Sequence, residues 1–483
     1  MATLSSAGIG SGLDVNGIIT QLMAIERRPL QALETQETAV KAQLSTFGKL
    51  QDYVATMRDK ASALTSLSLW NGTTGSSAAE SVVTVSTGAA AAAGHYAVTV
   101  QQLAAGQTVS SRAFTSSSAV AFGEGTLTIE LGAWTGTPVS GFAPKAGANA
   151  VTVTLGPEDN TLAKVRDKIN AADAGVSASI INDASGARLA IRSKDSGAEN
   201  AFRISAAETV DDGVAGDGLS ALAFSVVGGA TQMSRNQTAA NALATVNGIA
   251  VESASNKLDN VSDGVNLELR STSASAVDVN VALDTASVRT AITDFAKAFN
   301  ELASYIREQT KYDPVTKKGG ALQGDRAAIG LQGQLRAIVN ESSSASGVFG
   351  RLTDIGLALK ADGTFETKSG ALENGLANLT ELRKLLATDT EASATSGFMA
   401  RFKRLGNAAL GSDGTFETRS ASLKIRITTL DKRQEQMQNR LAQTEKRLQA
   451  QYQTLDANMN RLSGLSGYVG QQLQALANFN RNN

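Results

Sequence analysis

The chain has 483 residues, and 44 Lys plus Arg against 45 Asp plus Glu leave a formal net charge of -1, without the positive excess that a nucleic-acid phosphate backbone requires. It holds no cysteine and a single histidine, His95, which excludes disulfide frameworks, thiolate zinc sites and two-histidine metalloprotease motifs, so neither a metal nor a cofactor is expected. No apolar stretch approaches the roughly 18 residues that cross a bilayer, and no membrane partner is expected.

The first residues, MATLSSAGIGSGLDV, carry no basic residue before Arg27 and no apolar core segment, so they do not read as a secretory signal peptide. Gly8, Gly10 and Gly12 do not form a phosphate loop, because no strand precedes them and the positions for a third glycine or a lysine hold other residues. Asp14 is placed to cap a helix on which Ile18, Leu22 and Ile25 form an apolar stripe. Pro29 is expected to interrupt that helix, since it pushes Arg28 away from helical angles. Leu33, Val40, Phe47 and Val54 then recur every seven residues, with Leu50, Met57 and Leu64 as a second column.

From Gly72 onward the apolar residues alternate with Thr, Ser, Asn and charge at a period of two. Strands are expected around Val83, Val98, Ile129, Val153, Ile191, Leu267 and Val279. One helix interrupts them, with Leu162, Val165 and Ile169 on one face, Asn160 or Thr161 at its start and Gly175 near its end. Gly123 to Ala150 is rich in Gly and Pro, and Asp211 to Gly218 is acidic and Gly-rich, which predicts long surface loops.

Helical periodicity returns after Asp284, where Val288, Ile292, Phe295, Phe299, Leu302 and Ile306 step by three and four. The hexapeptide DGTFET occurs at Asp362 to Thr367 and again at Asp413 to Thr418. Asp-Gly supplies a turn, and each phenylalanine is expected to anchor a short strand before the next helix; the ligand spacing of a calcium loop is missing. Leu423, Ile427, Leu430 and Met437 lead into a column at Leu441, Leu448, Leu455 and Leu462, which predicts a rod of about forty residues and about 60 Å. The column is matched on its other side by Thr444, Gln451 and Asn458, or alternatively by Glu445, Tyr452 and Met459, a half-polar seam that would be weak as an isolated dimer.

The expected fold is therefore α+β and multidomain, a coiled-coil-like helical stem made of both termini with two β-rich domains inserted in the middle. Its divisions are read as terminal helical legs at 1–32 with 441–483, a stem at 33–75 with 285–440, an inner β domain at 76–112 with 235–284 and an outer one at 113–234. Ile18, Leu22, Ile25, Leu441, Leu448, Leu455 and Leu462 are the candidate docking residues. Leu33, Val40, Phe47, Val54, Ile292, Phe295, Phe299, Leu302 and Ile306 are the candidate stem core.

The segments GIGSGLDVNGIITQLMAIERRPL (Gly8 to Leu30), GHYAVTVQQLA (Gly94 to Ala104) and ATVNGIAVESASNKLDNVSDGVNLEL (Ala244 to Leu269) resemble the flagellar filament cap family, also called flagellar hook-associated protein 2. DFAKAFNELASYIREQTKYD (Asp294 to Asp313), GALQGDRA (Gly320 to Ala327), LTDIGLALKADGTFE (Leu352 to Glu366) and RLAQTEKRLQAQYQTLDANMNRL (Arg440 to Leu462) continue the resemblance. It implies a non-enzymatic assembly protein of the bacterial flagellum, exported by the type III apparatus with an export chaperone. It also implies a homo-oligomeric cap at the filament's distal tip, a five-fold ring, beneath which flagellin folds and inserts. Two alternatives stand beside it: a flagellin or hook-filament junction protein, which shares helical ends and a β centre, and an extracellular carbohydrate-active enzyme, for which no carboxylate pair is marked.

Overall fold

The computed structural model describes residues 14–211, 213–228, 231–315 and 317–481; the glycine-rich leader at Gly8 to Gly12 lies outside them. The chain divides into two compact units, one of Met1–Leu69 with Thr285–Asn483 and one of Trp70–Asp284.

The helical unit begins with α1 (Val15–Glu26), whose cap Asp14 accepts a hydrogen bond from the Gly17 amide at 2.9 Å. α2 (Arg28–Leu64) follows after a single residue, Arg27, and a short α3 (Leu67–Trp70) ends the outgoing segment. The helix break therefore falls two residues before Pro29. A proline lacks an amide that the first turn would leave unpaired in any case, so Pro29 opens α2 instead of ending α1.

The β unit consists of β1 (Thr73–Ser77), β2 (Val83–Thr87), β3 (Gly94–Gln102), β4 (Thr108–Ser110), β5 (Gly125–Thr135), β6 (Gly141–Pro144), β7 (Val151–Leu155), α4 (Leu162–Ala171), β8 (Val176–Asp183) and β9 (Gly186–Ser193). β10 (Ala201–Glu208), β11 (Ser234–Gln237), β12 (Ala242–Val246), β13 (Ile249–Ser253), β14 (Lys257–Ser262), β15 (Val265–Leu269) and β16 (Val277–Leu283) complete it. All the pairings are antiparallel. Two separate cores form. In the first, Val98, Val100, Val279 and Val281 from the sheet β1-β16-β3-β12-β13 meet Val83, Val265 and Leu267 from β14-β15-β2. In the second, Leu162, Val165 and Ile169 of α4 pack with Leu127, Ile129, Leu189, Ile191 and Phe202. The period-two alternation works as expected in β12, β15 and β16, which bury one face, whereas β9 and β10 also bury adjacent residues and β11 is exposed throughout.

Three boundaries differ from the sequence reading. β1 pairs with β16, so the last residues assigned to a stem at 33–75 belong to the β unit. β4 and β11 pair with each other, and β4 also with β9 of the second core, so the chain leaves the first core near Ala104 and returns to it at Ala242, not at 112 and 235. The Gly/Pro-rich segment at 123–150 is not a loop: β5 runs to Thr135 and turns back into β6. Gly132 sits where a Cβ would fall 2.3 Å from the Ala143 carbonyl, so this glycine permits close strand approach instead of marking a turn.

The return segment holds α5 (Thr285–Thr310), the hairpin β17 (Tyr312–Asp313) and β18 (Lys318–Gly319), α6 (Arg326–Asn340), the hairpin β19 (Leu357–Leu359) and β20 (Phe365–Thr367), α7 (Ser369–Leu376), α8 (Leu379–Ala387), α9 (Phe398–Leu410) and α10 (Thr415–Arg481). Val40, Phe47, Val54, Ile292, Phe295, Phe299, Leu302 and Ile306 are all buried, whereas Leu33 is only partly so. Phe299 lies 4.3 Å from Phe365 and 5.8 Å from Phe402 between ring centroids, and Phe295 lies 5.1 Å from Phe402. The two DGTFET segments differ. The first makes the expected turn, with Gly363 at φ +83° and Phe365 in β20, whereas in the second Thr415 already starts α10 and Phe416 stacks on Phe47 at 5.0 Å.

On α8, the Glu381 carboxylate accepts from Lys384 Nζ at 2.7 Å, Ser346 Oγ at 2.7 Å and the Gly347 amide at 2.8 Å. These donors, the lysine foremost, lower its pKa from the ordinary 4.5 to about 2. A carboxyl depressed in the folded state stabilises it above its unfolded pKa, and that contribution fades as pH falls through about 2. Melting curves of the wild type and Glu381→Gln are expected to differ at neutral pH and converge as pH falls through that window. A difference that stays constant with pH would show that the carboxylate's ionisation contributes nothing.

Candidate assembly surface

α10 has 67 residues, and at about 1.5 Å per residue it spans about 100 Å, well beyond the expected rod. α2 and α1 run antiparallel to it in succession. Near its start, Leu423 and Leu430 are buried with Val40, flanked by Leu33, Leu44 and Ile427. Further along, Leu441 is buried with Val15, Ile19 and Met23, flanked by Leu30, Met437, Leu448 and Tyr452. Polar ties join the same helices: Gln434 Nε2 donates to Glu37 at 2.5 Å, and Lys41 also pairs with Glu37, whose pKa is lowered by the lysine first and the glutamine second.

This pairing divides the candidate docking residues. α1 carries two overlapping apolar stripes, and the one turned to α10 is Val15, Ile19 and Met23, spaced by four, not Ile18, Leu22 and Ile25. Ile18 is half-buried, while Leu22 and Ile25 are 37% and 57% exposed. The leucine column also divides. Leu441 is buried inside the chain and Leu448 is partly covered, which corrects their assignment to a free docking face; the antiparallel α1 covers them. Leu455 and Leu462 are 44% and 63% exposed. Beyond them Val469 and Leu476 continue the seven-residue column, and Met459 and Leu473 supply the second column four residues on, all of them exposed. The seven-residue spacing thus extends past Leu462, the last position of the expected column, to Leu476.

Contiguous exposed apolar surface of this kind marks an interaction site. Among the described residues no group of three or more His, Asp or Glu side chains is placed to hold a metal ion, and no helix is long and apolar enough to cross a membrane. His95 is exposed on β3, 3.5 Å from Asp278.

Residues 11–107 match the model of the flagellar hook-associated protein 2 N-terminus, and residues 239–464 match that of its C-terminus. The chain belongs to the flagellar hook-associated protein 2 family. Residues 145–195 further match the flagellin hook IN motif. Among relatives, flagellar hook-associated protein 2 of Escherichia coli K12 is 28% identical over 99% of this chain and 100% of its own length. The B-type flagellar hook-associated protein 2 of Pseudomonas aeruginosa is 28% identical over 98% of both chains. The crystal structure of the D1-D2-D3 domains of the flagellar cap protein FliD from Escherichia coli superposes with a TM-score of 0.58 at 26% identity, covering 78% of this chain and 99% of that one. The full-length hook-associated protein 2 matches favour this family over the flagellin, junction-protein and carbohydrate-active readings, and the family is one of structural flagellar proteins.

Proposed function

We propose that the chain caps the distal end of a bacterial flagellar filament, outside the cell, and promotes flagellin folding and insertion there. In this reading it is exported by the flagellar type III apparatus with a chaperone and assembles as a homo-oligomeric, five-fold ring. The exposed half of α10, with Leu22 and Ile25 of α1, docks on the filament end or a neighbouring subunit. The observation that carries it is the column Leu455, Leu462, Val469 and Leu476, apolar at seven-residue spacing and exposed, on a family member whose Escherichia coli relative is a flagellar cap protein.

The test is Leu462→Asp expressed in a strain lacking its own cap gene. An exposed site tolerates the change within about 0.5 kcal/mol, so thermal unfolding is expected to be unchanged. At an interface the buried, unpaired carboxylate costs several kcal/mol, so filaments are expected to be lost and monomeric flagellin to appear in the medium. Filaments of normal length with this variant would refute the docking role.

A further inference from the structure

α10 carries a second heptad column, made of arginine. Arg426, Arg433, Arg440, Arg447 and Arg461 fall seven residues apart, with Thr454 in the one gap, and extend about 50 Å along the helix. Arg440, Arg447 and Arg461 directly precede Leu441, Leu448 and Leu462, Arg426 precedes Ile427 and Arg433 precedes Gln434, so the arginines run along one edge of the apolar column. All five are exposed, and among the described residues none of them takes part in an ion pair. Among the described residues no ion pair from these arginines holds α10 against α1 and α2, and Glu37 of α2 is engaged with Lys41 and Gln434 instead.

The column borders a groove. Between α2 and α10, close to the break at Arg27, a trough of about 480 Å³ is floored by Pro29, Ala32, Leu33 and Met437, and the charged groups that line it are Arg433 and Arg440. An apolar floor with a cationic rim at helical spacing fits one kind of occupant.

We infer that this groove docks an amphipathic helix from another protein, one that lays apolar side chains on the floor and presents carboxylates at seven-residue spacing to the arginine column. A second copy of this chain does not meet that description. Of its exposed apolar helix faces, the far half of α10 carries Arg447 and Arg461 beside the same apolar column and would set like charges together, and α1, with Leu22 and Ile25, carries the single carboxylate Glu26. The groove itself, at Pro29, Leu33, Arg433, Met437 and Arg440, lies apart from the exposed leucines from Leu455 onward and does not depend on the docking role proposed for them.

The test uses the full chain and two synthetic helical peptides with the same leucine stripe, one flanked by Glu and one by Lys, followed by fluorescence anisotropy. The Glu peptide is expected to bind at least about tenfold more tightly than the Lys peptide, and to weaken as salt rises. In the double variant Arg433→Glu and Arg440→Glu, with helix content checked by circular dichroism, the preference is expected to reverse. Leu462→Asp is expected to keep wild-type binding of the Glu peptide, so failure of filament docking and failure of this site read out separately. Equal binding of the two peptides, no saturable binding of either, or an unchanged preference in the double variant would overturn the inference. So would displacement of the Glu peptide by phosphatidylglycerol vesicles, which assigns the arginines to a lipid surface, or altered sedimentation of the double variant alone, which assigns the groove to self-association.

Discussion

Phe299→Ala is expected to destabilise the helical unit by about 3 to 5 kcal/mol, the range for removing a buried aromatic ring whose surroundings relax only in part. Phe299 is 1% exposed and meets Phe295, Phe365 and Phe402, which come from three different segments: α5 itself, β20 and α9. Those segments have no common local periodicity, so the ring contacts join them and a cavity there affects all three. Denaturant unfolding followed by helical circular dichroism measures the loss. A change below about 1 kcal/mol would mean that the site collapses around the deletion and that the aromatic cluster is not what holds α5 to its neighbours.

Leu441→Asp is expected to separate α1 from α10 while the rest of the helical unit stays folded. The substitution puts a carboxylate among the apolar side chains of Val15, Ile19 and Met23, at a cost of several kcal/mol. α1 has 12 residues, too few for a stable helix in water on its own, so loss of that contact is expected to melt it. Hydrogen exchange is the measurement: amides of Val15–Glu26 are expected to lose protection, and those around Phe47 and Phe299 to keep it. The contrast with Leu462→Asp is the informative part. Two leucines of one column, three heptads apart, are expected to fail in different ways, one in packing and the other in assembly. Unchanged exchange across α1 in Leu441→Asp would show that the antiparallel pairing does not hold α1 in place.

Much of this protein is determined by its sequence taken alone. The stem heptads at Val40, Phe47 and Val54 and the three-four steps from Val288 to Ile306 mark helices, because a 3.6-residue period leaves only one way to gather those side chains on a face. The alternation at Val98, Val153, Leu267 and Val279 marks strands for the corresponding reason at period two. Helices at both ends around a β centre then require an insertion, and the segments from Gly8 to Leu30 and from Arg440 to Leu462 point to the family. The tertiary structure alone decided which apolar surfaces are covered. α1 is apolar on two adjacent stripes, and only the position of α10 selects Val15, Ile19 and Met23 over Ile18, Leu22 and Ile25. The leucine column has one spacing throughout, yet it is buried at Leu441 and exposed at Leu462, because the antiparallel partner covers only the first part of it. The two DGTFET copies became a hairpin and a helix start by the same logic, since Phe365 faces the phenylalanines of α5 while Phe416 faces Phe47 of α2. Periodicity records which side chains are apolar; what lies opposite them is set by contacts hundreds of residues away, which no local pattern carries.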